Sequence, residues 1–140
     1  MKQWIDKQIH AKYTPYVLAF LIPFLVMAAV CAGHGIYPFG ENSFLHIDMY
    51  HQYAPFFMEF QRKLKAHESL MFSWNLGLGS DFVATFAYYL ASPVNWLVVF
   101  CSKQHLIEFM TVLVLLKIAC SGLFFAIYLG WHFKDNSYLV

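Results

Sequence analysis

Two long stretches without a charge, residues 16–32 and 82–101, and a third at 109–131 broken only by Lys117, limit what this chain can become. Each has about the ~20 residues that cross a hydrocarbon core about 30 Å thick at ~1.5 Å per residue. Of the 140 residues, 60% are hydrophobic, 20% aromatic and 12% charged. Soluble domains average about 45–50% apolar and about 25% charged, so a soluble core of this size has no place for the excess. The composition points to an all-α integral membrane protein. A net charge of +1 leaves no electrostatic footprint for nucleic acid. Cys31, Cys101 and Cys120 are odd in number and sit in or at the ends of apolar runs, so they read as packing residues rather than a disulfide or metal framework.

The expected layout has three spans. Residues 1–15 form a cytoplasmic N-terminus, since Lys2, Lys7 and Lys12 precede the first run. The first span covers 16–38, with Tyr13, Tyr16 and Tyr37 as interfacial residues and Pro23 kinking the helix. Its apolar length exceeds the about 7–15 residues of a signal-peptide core. An extracellular loop follows over 39–81. Within it, Phe56, Phe57, Phe60 and Leu64 recur at helical spacing, with Glu59, Gln61, Arg62, Lys63 and Lys65 opposite them. This predicts an amphipathic helix over 55–67, with Pro55 in its first turn, lying in the membrane interface. Residues 75–81 lack the third glycine and leading strand of a dinucleotide fingerprint, and read as a flexible re-entry to the bilayer. The second span covers 82–101, a cytoplasmic link 102–108, the third span 109–131, and an extracellular tail 132–140. The chain stops where a new apolar stretch begins, which predicts either a fragment or a partner of further helices.

Chemistry is expected in His46-Ile47-Asp48-Met49-Tyr50-His51-Gln52-Tyr53, just past the outer end of the first span. A carboxylate there, desolvated by aromatic neighbours, can accept a proton from a hydroxyl. Tyr50, Gln52 and Tyr53 offer hydrogen bonds and flat surfaces to a sugar or phosphate head. The competing role for Asp48 is a helix N-cap. A metal site from His46, Asp48 and His51 is a further alternative, although three ligand-type residues this close arise readily by chance. No cofactor is called for. Tyr88 and Tyr89 are either interfacial residues or walls of a lipid-access groove. Asp81 reads as a cap of the helix it precedes. Lys117, costing ~2.5–3.5 kcal/mol within a span, either snorkels to the interface or pairs with a lipid phosphate or a neighbouring helix.

Five landmarks in order, Ile36-Tyr37-Pro38-Phe39-Gly40, Asp48 to Tyr53, Leu76-Gly77-Leu78-Gly79, Phe86 to Pro93, and Leu116-Lys117, resemble the start of the YfhO family of bacterial membrane proteins. Ser80-Asp81 departs from that family's pattern. The family is similar to the C-type (GT-C) glycosyltransferases. The resemblance therefore implies the N-terminal part of a multispanning enzyme in the bacterial cytoplasmic membrane. It implies a polyprenyl-phosphate-linked sugar as donor and a cell-envelope polymer of teichoic acid type as acceptor. In that fold an acidic residue of the first outside loop is the base, and Asp48 matches it. The other expected function is a non-enzymatic membrane subunit, a scaffold or transporter component, in which Asp48 is only a cap.

Overall fold

The computed structural model describes residues 2–133, with side chains described over 13–133. The side chains of Lys2, Lys7 and Lys12, and the expected apolar stretch at 138–140, lie outside the described residues. The described chain is helical apart from one short hairpin and its loops, in keeping with the all-α expectation. It divides into two compact units, one of residues 1–34 with 114–140 and one of 35–113.

In the first unit, helix α1 (Lys2–Gly33) runs through both Pro15 and Pro23. Its stretch from Tyr13 to Gly33 is long and apolar enough to cross a membrane. Val17, Ile22, Leu25 and Val26 stand exposed on it, as lipid-facing side chains do. Helix α4 (Leu106–Phe133) belongs to the second span-length stretch, Lys103–Phe133. Its Gly122 has no room for a side chain: a Cβ there would lie 2.9 Å from Pro23 Cγ and closer still to the carbonyl oxygen of Ala19. A small residue is what allows two helix backbones to come this near.

The second unit is built around Leu45, Phe57, Phe60, Phe82, Leu90, Val98 and Leu106. Phe60 lies at its centre, with ring centroids 5.4 Å from Phe86 and 5.3 Å from Trp96. Helix α1 ends at Gly33, short of the expected 38. Residues 35–42 instead close a loop, with Asn42 N donating to Gly35 O and Tyr37 N to Asn42 O, each at 3.0 Å.

Helix α2 (Ala54–Lys65) forms where periodicity predicts it, with Pro55 in the first turn. Its polar face differs from the solvated one expected of an interfacial helix. Glu59 is 6% exposed, Gln61 1% and Lys63 3%. Partners from elsewhere in the unit account for this burial. Gln61 Nε2 donates to the carbonyls of Val98 (2.8 Å) and Cys101 (2.9 Å). Lys63 Nζ donates to those of Ser69 (2.9 Å) and Phe72 (2.7 Å).

Strands β1 (Phe72–Ser73) and β2 (Ser80–Asp81) pair antiparallel, Phe72 opposite Asp81 and Ser73 opposite Ser80. Asp81 then caps helix α3 (Phe82–Thr85), its Oδ1 accepting from Val83 N at 2.8 Å, as the sequence predicts. A π-helical turn over Phe86–Leu90 follows, then a 3-10 helix over Pro93–Phe100. These two apolar helices meet at 106° rather than forming one straight span. Ser92 is extended (φ −61°, ψ 130°) because Pro93 disfavours helical backbone in the residue before it. Asn95 Nδ2 ties the corner by donating to Leu90 O at 3.1 Å.

Candidate functional site

Asp48 ends the loop that follows α1 and opens a π-helical turn, Met49–Tyr53, continuous with α2. The residue before it, Ile47, has φ 46° and is 78% exposed. Left-handed backbone is a true outlier for a β-branched residue, and such strain gathers at functional sites. Asp48 makes no side-chain cap bond, so the capping role is not the one its geometry takes. Its carboxylate instead faces Gln52, four residues on, with Gln52 Nε2 at 3.5 Å from Oδ1. Gln52 Oε1 accepts from the hydroxyl of Tyr89 at 2.9 Å. The amide orientation follows from the chemistry, since its oxygen end would repel the carboxylate.

Tyr89 belongs to the second π-helical turn, so a relay Tyr89–Gln52–Asp48 joins two distant parts of the sequence. Around it aromatic rings pack closely, Tyr53 and Tyr88 edge on to Tyr89 and Phe56 tilted against it. Tyr53 lies 4.8 Å from Tyr89 by ring centroid, Phe56 4.9 Å and Tyr88 4.7 Å. Single-turn π-helices are rare and recur at functional sites; here both carry members of the relay.

Of the residues singled out from sequence, Asp48, Gln52, Tyr53, Tyr88 and Tyr89 thus come together. Tyr50 is exposed and set edge-on to His51 at 5.4 Å. Lys117 is exposed on α4 in the other compact unit. Asp48 itself is exposed, so the described residues do not give the desolvation expected of it. Among the described residues, no three His, Cys, Asp or Glu side chains gather closely enough to hold a metal ion, and His46, Asp48 and His51 make no such group. Two clefts in the same unit, of about 340 and 310 Å³, are lined by other residues.

The sequence reading missed a polar cluster on α2. Glu59 accepts from Arg62 (Nε 2.8 Å), Ser73 Oγ (2.6 Å) and Asn75 Nδ2 (2.9 Å). Arg62 also donates to both oxygens of Glu68 at 2.6 Å. The Arg62 guanidinium, aided by Ser73 and Asn75 and opposed by burial, holds the Glu59 carboxyl at about 2 rather than its ordinary 4.5. The Glu59–Arg62 spacing of three on a helix was the available signal. Ser73 and Asn75, from the hairpin, carried none.

A family model described as bacterial membrane protein YfhO matches residues 19–140. No curated protein and no solved structure matches the chain. With nearly its whole length matched, and with the apolar helices the family description calls for, this chain belongs to the YfhO family of bacterial membrane proteins.

Proposed function

We propose that this chain is the N-terminal part of a membrane glycosyltransferase that moves a sugar from a polyprenyl-phosphate carrier to a cell-envelope polymer of teichoic acid type, on the outer face of the cytoplasmic membrane. Asp48 is the general base. Its carboxylate takes the proton of the acceptor hydroxyl as that oxygen bonds to the anomeric carbon. The bond from that carbon to the carrier phosphate breaks, and polyprenyl phosphate leaves with the electron pair. Gln52, oriented by Tyr89, holds one carboxylate oxygen and leaves the other to the incoming hydroxyl. Tyr53, Tyr88 and Tyr89 form the aromatic wall for sugar or prenyl chain, and Tyr50 extends it. Lys117 pairs with a lipid phosphate or a neighbouring helix. The observation that carries this reading is an uncapped carboxylate at the end of a strained loop, aimed by a two-residue relay.

The N-terminus is proposed to lie in the cytoplasm and residues 35–105 outside. The helix pair over 82–100 is then a re-entrant element rather than a crossing. In support, its return leg is bound to α2 through Gln61 and Lys65, both donating to Cys101 O. Counted by number the cations are balanced, Lys2, Lys7, Lys12 and Lys134 inside against Arg62, Lys63, Lys65 and Lys103 outside, but Arg62, Lys63 and Lys65 are bonded within their own unit.

The test is Asp48→Asn in the intact gene. Sugar on the envelope polymer should be lost while membrane abundance of the protein is unchanged; unaltered glycosylation refutes the assignment. The exposure of Asp48 favours the second reading, a non-enzymatic membrane subunit, and the same variant separates the two because a subunit without chemistry tolerates it.

A further inference from the structure

The eleven residues from 70 to 80 contain no charge, although the flanking segments are polar. They form the hairpin between β1 and β2, whose tip is apolar and open: Leu78 is 99% exposed, Trp74 78% and Met71 69%, with Phe72 also exposed. Single exposed hydrophobic residues are ordinary, but four on one short turn mark a contact surface. The turn is also tied together internally. Phe72 and Trp74 meet edge to face at 4.9 Å. Gly79, at φ 103°, leaves the space these rings need, since a Cβ there would lie 2.8 Å from each. Lys63 Nζ grips the base through the carbonyls of Ser69 and Phe72, and Glu59 holds Ser73.

What covers this tip follows from its level in the unit. Asn75 and Leu76 line a cleft together with Arg62 and Lys103. Lys103 is the first residue of the span-length stretch that continues through α4. Lys103, Gln104, His105 and Glu108 precede the apolar run 109–131, in which Lys117 is the one charge, so the membrane boundary belongs at this level. A hairpin tip at that level meets lipid. Two of its turn amides are bonded within the hairpin, Gly79 N to Leu76 O (3.1 Å) and Asn75 N to Ser73 Oγ (3.1 Å), as a headgroup-level turn requires. Trp at the headgroup level, with aliphatic neighbours reaching the acyl chains, is how interfacial anchors are built. We propose that the hairpin over residues 71–79 is a lipid anchor, its Met71, Phe72, Trp74 and Leu78 side chains seated in the headgroup–acyl boundary of the leaflet that α4 enters. It holds α2 at a set depth through Lys63 and Glu59, independently of any chemistry at Asp48.

The test attaches an environment-sensitive fluorophore at Leu78→Cys, in a chain whose three native cysteines are alanine, reconstituted in phosphatidylcholine–phosphatidylglycerol vesicles. Blue-shifted emission should be quenched several-fold more strongly by lipids carrying a nitroxide near the headgroup than by aqueous iodide. Quenching by iodide as strong as for free dye overturns the proposal. So does a blue shift that no nitroxide lipid quenches, which means that protein covers the tip. A second label at Met71→Cys gives the same reading if the first variant does not fold, and free dye in buffer gives the water-exposed baseline.

Discussion

At the scale of single residues, two carboxylates in one unit are treated in opposite ways. Asp48 is left open, with one amide beside it, whereas Glu59 is enclosed by an arginine, a serine and an asparagine. The enclosed one stabilises the fold. Its folded pKa is about 2 against an ordinary 4.5, so its contribution is full above the unfolded value and is lost as pH falls towards 2. That depression corresponds to roughly 3 kcal/mol. Glu59→Gln should therefore lower stability at pH 7 by about that amount, and variant and parent should converge as pH falls from 4.5 to 2. Thermal unfolding in detergent across that pH range measures it; a parent and variant with parallel acid limbs would mean that another group governs acid loss. Asp48 was legible as a candidate from its place after the first apolar run. Its partnership with Tyr89 was not, because the two are 41 positions apart and only folding brings their π-helical turns together.

Among the elements, α2 shows most clearly what a pattern can and cannot tell. Period-3.6 spacing of Phe56, Phe57, Phe60 and Leu64 located the helix within a residue or two. The same pattern made Glu59, Gln61 and Lys63 look solvated, because backbone carbonyls at Ser69, Phe72, Val98 and Cys101 are acceptors that side-chain identity does not reveal. The second apolar run was found by composition, yet its corner lies at Ser92-Pro93, where the local rule for the residue before proline outweighs hydropathy. This corner has a consequence for sidedness. With a re-entrant pair, Lys103→Cys in a chain whose own cysteines are alanine should react with a membrane-impermeant maleimide added to intact cells. A chain that crosses at 82–101 would protect that thiol until the membrane is permeabilised.

For the molecule as a whole, membrane character, helical class and family follow from features that composition and motif order display directly. The close packing of α1 against α4 does not, since it depends on a single hydrogen side chain at Gly122 facing Ala19 and Pro23. Gly122→Leu should separate those helices and lower stability by about 1–3 kcal/mol, read as a lower unfolding temperature in detergent with far-ultraviolet helicity retained at room temperature. The bend at Ile47 has a reach beyond its own residue. Left-handed backbone at a β-branched position persists only while its surroundings enforce it, at a cost of about 1–3 kcal/mol. Here the Ile47 carbonyl accepts from the amides of Tyr50 (3.1 Å) and His51 (2.9 Å), Met49 N donates to His46 O (3.1 Å), and Leu45 is buried just ahead. Loosening the turn lets the chain relax into ordinary torsions and swing the Asp48 carboxylate off its amide, so damage elsewhere in the loop would be felt there first.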